Sequence, residues 1–165
     1  MSGLTSRLFT KSSQGLTLVE LMTAIALMAM LSTIAIPNIV AVLPKYRLGE
    51  SARGILSILH YAKISAIKEN ANVAVNFNPG SSECMVFVDD GEGGGTSEDR
   101  LRNGQERILK RYSMPSGVNL LSPEFGNVLS FNNRGLCDST GDVSVQNSRG
   151  TRKIRVLPSG HCKIF

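Results

Sequence analysis

Residues 21–44 constrain this chain more than any other stretch, because they hold 24 side chains and no charge among them. As a helix they would measure about 36 Å, against roughly 30 Å for the hydrocarbon core of a bilayer. Glu20 stands at the N-terminal lip of this run. A carboxylate is costly in lipid until it meets a partner, so Glu20 is the first candidate for a functional residue.

Residues 1–15 are polar, carry Arg7 and Lys11, and contain no apolar core. A secretory signal is cut after its apolar stretch. Here the small-residue junction, Gly15–Leu16, comes before it. Gly15, Leu16, Thr17, Leu18, Val19, Glu20 and Leu21 resemble the leader junction of type IV pilins and type II secretion pseudopilins. That resemblance implies a leader at 1–15, cleavage of Gly15–Leu16 by a prepilin peptidase, and N-methylation of Leu16. It also implies an assembly role for Glu20, the fifth residue after the cut. Family members usually carry Phe where this chain has Leu16.

The apolar run is expected to continue as one helix over 17–69. Pro37 lacks an N–H and predicts a kink or local opening near 33–36, with Pro44 a second irregularity. Leu48, Ala52, Ile55, Leu59, Ala62 and Ala66 recur at spacings of three and four, one face of an amphipathic helix. Asn70, Ala71 and Asn72 break the pattern. Beyond them the period becomes two, and strands are predicted at 73–77, 84–88, 107–112, 118–121, 128–131, 143–145, 153–156 and 161–165. Asn147, Ser148, Arg149 and Gly150 form a hairpin-turn sequence. The fold class is α+β, a long N-terminal helix packed on a C-terminal antiparallel sheet. The expected organisation is a leader at 1–15, a transmembrane or filament-core half-helix at 16–44, and a globular domain at 45–165. Within that domain the helix occupies 45–69 and the sheet 70–165.

Later segments resemble the GspH/FimT branch of pseudopilins and minor pilins. They are residues 52–63 on the helix, then Phe87-Val88-Asp89-Asp90-Gly91, Gly104-Gln105-Glu106-Arg107-Ile108-Leu109 and Phe131-Asn132-Asn133-Arg134-Gly135. The resemblance implies a pilin fold and a low-abundance structural subunit of a type IV pilus or secretion pseudopilus, rather than an enzyme. It implies a single-pass protein of the bacterial inner membrane with its C-terminal domain in the periplasm. The implied partners are the prepilin peptidase and other pilins or pseudopilins; no cofactor or metal is expected.

The net charge is +5, and Arg7 and Lys11 supply two of those charges, leaving +3 after residue 15. This is mildly basic, below the profile of a dedicated nucleic-acid binder. The C-terminal segment nevertheless gathers Arg149, Arg152, Lys153, Arg155 and Lys163 without an acid. Such a ribbon could contact phosphates, making DNA uptake the second reading. Some FimT-type pilins bind DNA through Gly-Arg-x-Arg, but here Gly160-His161-Cys162-Lys163 departs from it. A solvated strand face is the favoured reading of the ribbon.

The acidic, glycine-rich stretch 89–99 reads as a mobile solvated loop, since the alternate positions a calcium loop needs fall on glycines. Cys84, Cys137 and Cys162 allow three pairings with one thiol left over. Cys137–Cys162 is favoured because it would tie residues 132–141 to the C-terminal strand, a choice the pilin resemblance reinforces. Cys84–Cys162 is the alternative.

Overall fold

The computed structural model describes residues 15–103 and 105–165. Residues 1–14 of the expected leader, and Gly104 of the third resembling segment, lie outside the described residues. The chain divides into two units, with the boundary between Ala41 and Val42.

Helix α1 spans Leu18–Glu69. It runs unbroken through Pro37 and Pro44, so the local opening expected at 33–36 is absent. One missing N–H removes one helical hydrogen bond and spares the neighbouring ones. Asn38 Nδ2 also donates to Ile34 O at 3.0 Å, one turn back. The helix stops where the sequence changes. Asn70 takes a left-handed conformation (φ 53), and Ala71 N donates to Ala66 O at 3.3 Å, the wide closing bond of a Schellman end.

Eight strands follow: β1 Val73–Asn78, β2 Glu83–Val88, β3 Ile108–Ser113, β4 Asn119–Leu120, β5 Val128–Phe131, β6 Gly141–Asn147, β7 Gly150–Val156 and β8 Cys162–Ile164. They form two four-stranded antiparallel sheets rather than the single sheet expected. The first is ordered β3-β2-β1-β5 and the second β4-β6-β7-β8. Alternation in sequence tells which face of a strand is buried, not which strand lies beside it. The split arises because β5 returns to pair with β1, while β6 turns through Asn147–Gly150 onto β7.

One core joins the helix and both sheets within the unit Val42–Phe165. All six residues of the predicted stripe are buried, and Ser51, Ile58 and Ser65 widen it. Phe77, Phe131 and Leu129 meet it from the first sheet; Val143, Val145, Ile154 and Val156 meet it from the second. Each large side chain so buried contributes about 1.5–3 kcal/mol of transfer free energy.

Candidate assembly surface

Gly15 and Leu16, the expected cleavage junction, lie just before α1, and Glu20, the expected assembly residue, lies in its first turn. Thr17 precedes the first helical residue, and its Oγ1 accepts a hydrogen bond from Glu20 N at 3.2 Å. Thr17 is therefore the N-cap and Glu20 the third helical residue. The Thr-x-x-Glu spacing of a capping box is the sequence signal that identifies Thr17 as the cap, a role the expectations above did not give it. Glu20 itself is exposed and lies in the first turn, where a negative charge complements the helix dipole. Leu16, Leu18, Val19, Leu21 and Met22 around it are each more than half exposed. Among the described residues, exposure of large apolar side chains continues along the helix to Leu43, an apolar surface far larger than the patches usual on soluble monomers.

The basic ribbon is less uniform than its sequence. Arg155 Nε and Nη2 donate to Asp142 Oδ1 and Oδ2 at 2.8 and 2.9 Å. Its guanidinium also lies 5.0 Å from the Phe165 ring centroid, with Lys163 Nζ at 5.4 Å. Arg155 is thus held by a carboxylate from the neighbouring strand β6, a partner that no pattern within β7 discloses. Arg149, Arg152, Lys153 and Lys163 are exposed. The structure brings Arg155 and Lys163 opposite each other in register and separates Arg152 from them by strand alternation.

This pair makes the domain acid-sensitive. The hydrogen bonds from Arg155, more than its charge, hold the Asp142 carboxyl below the usual carboxylate range, while burial opposes them. A carboxyl depressed in the folded state stabilises above its unfolded pKa of about 3.9 and loses that contribution as pH falls through the folded value. Arg155→Gln is therefore expected to lower the thermal midpoint at neutral pH and to narrow the gap from wild type below about pH 4. Melting curves across that range check it; a constant gap at every pH would refute the assignment.

Most of the acidic loop is exposed as expected, including Asp90, Glu92 and Glu98, but its first residue is not. Asp89 and Glu106 are buried. Asp89 accepts from Glu98 N at 2.8 Å and Arg100 N at 2.9 Å. Glu106 accepts from Gly91 N at 3.2 Å and Asn103 N at 3.0 Å. The carboxylates staple the loop's own backbone amides. Among the described residues, no three His, Cys, Asp or Glu side chains converge as a metal site would require.

All three cysteines are free thiols in the structure. Burial pushes the Cys84 thiol up to about 12, and Cys137 and Cys162 up to about 11. A thiolate at Cys137 raises Cys162 further, a mark of their nearness. None has the depressed pKa of an activated nucleophile. Cys137 N donates to Pro158 O at 3.0 Å, so the loop after β5 meets the turn before β8. Lys63 secures that turn from the helix, donating Nζ to Ser159 O at 2.9 Å and Gly160 O at 3.2 Å. Nothing in the local sequence marks Lys63, because its partners lie almost a hundred residues away.

Residues 51–160 match the family described as Type II transport protein GspH. Residues 10–36 match the prokaryotic N-terminal methylation motif. No curated protein matches the sequence. The fold is similar to the type IV minor pilin FimU of Pseudomonas aeruginosa, at 12% identity and TM-score 0.56, over 74% of this chain and 90% of that one. It is likewise similar to the minor pseudopilin EpsH from the type II secretion system of Vibrio cholerae, at 12% identity and TM-score 0.56, over 73% of this chain and 94% of that one.

Proposed function

The chain belongs to the GspH family, which makes it a minor pilin or pseudopilin, and from that premise we propose how it enters a filament. A prepilin peptidase cuts Gly15–Leu16 and methylates the amine of Leu16. The precursor resides in the inner membrane, with the domain of residues 45–165 in the periplasm. Residues 16–44 then leave the lipid for the filament core, and Glu20 neutralises the terminal amine of a neighbouring subunit. In a medium of low dielectric an unpaired charge is costly and a paired one is tolerated, so the pair sets register. The role is structural rather than catalytic. The observation that carries this reading is the exposed apolar surface from Leu16 to Leu43, interrupted by the single carboxylate of Glu20.

Processing is tested by intact-mass analysis of assembled material. The mature chain is expected to begin at Leu16 and to carry one methyl group on its amine. Residues 1–15 retained in filaments would overturn the reading.

The favoured bridge joins Cys137 to Cys162 and leaves Cys84 reduced. Two thiols give up two protons and two electrons to a disulfide-donating oxidoreductase of the periplasm. Burial pushes both thiols up to about 11 in the folded domain, which disfavours exchange there. Closing a loop of about 25 residues contributes roughly 2–4 kcal/mol. Non-reducing peptide mapping of periplasmic material is expected to link the peptides of Cys137 and Cys162. A link through Cys84 would refute the pairing.

DNA contact stays the second reading. Lys153 and Lys163 present exposed cations, but Arg155 is already engaged by Asp142.

A further inference from the structure

Charge returns to the helix immediately after the apolar run: Lys45 and Arg47 follow Pro44. The fold brings a second basic segment to the same level. Asn147 Nδ2 donates to Pro44 O at 2.7 Å, which seats the β6–β7 turn against the helix at that residue. Arg149 lies in the turn, its N–H bonded to Asn147 Oδ1 at 2.9 Å. Arg152 is in register with Val145, so it shares the face that carries Asn147 toward the helix. Arg47 is fixed by its Nη1 donating to Ser116 O at 3.0 Å. Neither 42–49 nor 147–156 contains an acid; the nearest one in sequence on the helix is Glu50. Asp142 pairs with Arg155 at the other end of the hairpin. Between Lys45 and Arg47, Tyr46 is 62% exposed.

We propose that Lys45, Arg47 and Arg152, with Tyr46, form a collar that binds an anionic phospholipid surface while the subunit waits in the membrane. The inference rests on the membrane-anchored precursor described above. Each element fits the headgroup layer of a bilayer. Tyrosine favours the membrane–water boundary, with its ring among the upper acyl carbons and its hydroxyl among the headgroups. Basic side chains placed there are drawn to anionic lipid and are screened by salt. The collar begins one residue beyond the last of the uncharged run, where a spanning helix meets the headgroups. A basic strand serving DNA would need no tie to Pro44, whereas a membrane-proximal collar depends on one. Extraction into a filament would require the collar to leave the lipid surface, so lipid charge would set how firmly the precursor is held.

The test uses the full chain in lipid nanodiscs of phosphatidylcholine alone or phosphatidylcholine mixed with phosphatidylglycerol. Hydrogen exchange is read at the amides of 147–152, with β1 as an internal control for folding. Co-elution with the disc reports insertion. Exchange at 147–152 is expected to slow in the anionic discs alone and to recover at high salt. In the Lys45→Gln, Arg152→Gln double variant that protection should fall by roughly tenfold or more. Equal exchange in both discs, with insertion normal, overturns the collar and leaves the membrane reading intact. Failure to insert in either disc overturns the membrane reading and the collar with it. Slowing by added duplex DNA but not by phosphatidylglycerol overturns the collar in favour of nucleic acid. Wild-type protein alone decides between these outcomes if the double variant fails the β1 control.

Discussion

Glu20→Ala is expected to leave cleavage and domain folding intact and to reduce the subunit's presence in filaments at least tenfold. The expected size follows from the cost of leaving one partner of a buried pair uncompensated, about 3–5 kcal/mol. The local helix should survive, because the bond to Thr17 Oγ1 comes from the backbone N–H of Glu20 and not from its carboxylate. Losing the charge from the first turn costs only about 0.3–1 kcal/mol of helix stability. Glu20→Gln separates charge from shape, since it keeps the side-chain volume and a hydrogen-bonding head. Both variants should be depleted from sheared filament fractions while accumulating, processed, in the membrane. Normal incorporation of the Gln variant would show that shape rather than charge acts at this position.

Gly160→Ala is expected to be among the most destabilising single-atom changes in the domain, on the order of 3 kcal/mol. Gly160 has φ +67, and a Cβ there would collide with the carbonyl oxygen of Gly135. Backbone cannot rotate aside as a side chain does, so the two loops must separate. Separation would also pull Gly160 O and Ser159 O away from Lys63 Nζ. Gly117 is the control, with φ +82 and no atom within 4 Å of the point where a Cβ would stand. Gly117→Ala should carry the left-handed conformational cost alone, about 1–2 kcal/mol. Urea titration of the two variants in detergent compares them; equal midpoints would show that the loops part freely. Against a typical total of about 5–15 kcal/mol, the Gly160 variant loses a substantial share of the domain's stability.

Local patterns in the sequence carry much of this fold. The stripe from Leu48 to Ala66 is buried as its spacing required, and Asn70 ends the helix by the left-handed turn that Asn tolerates. The turn at Asn147–Gly150 joins β6 and β7 in the expected hairpin. What escaped was long-range. Two sheets rather than one follow from β5 pairing with β1, a choice made by packing and not by either strand's alternation. Asp142 reaches Arg155 from another strand, and Lys63 reaches residues 159 and 160 from the helix. Asp89 looked like a solvated acid because composition does not disclose that backbone amides will enclose it. The assembly residues were different again. Gly15, Leu16 and Glu20 were read from the likeness of Gly15–Leu21 to a known leader junction, not from any folding propensity.

The order of strand pairing bears on when in its synthesis the chain can close its core. β1 needs β5, more than fifty residues later, and the helix stripe needs β6 and β7, later still. Lys63 finds its acceptors only when Ser159 and Gly160 have emerged. Contacts of such long sequence separation form slowly. A chain still lacking those strands would hold Ile55, Leu59 and Ala62 without their cover. A copy truncated within its last thirty residues would lack β8 and the acceptors of Lys63, and is expected to leave the core side of the helix uncovered.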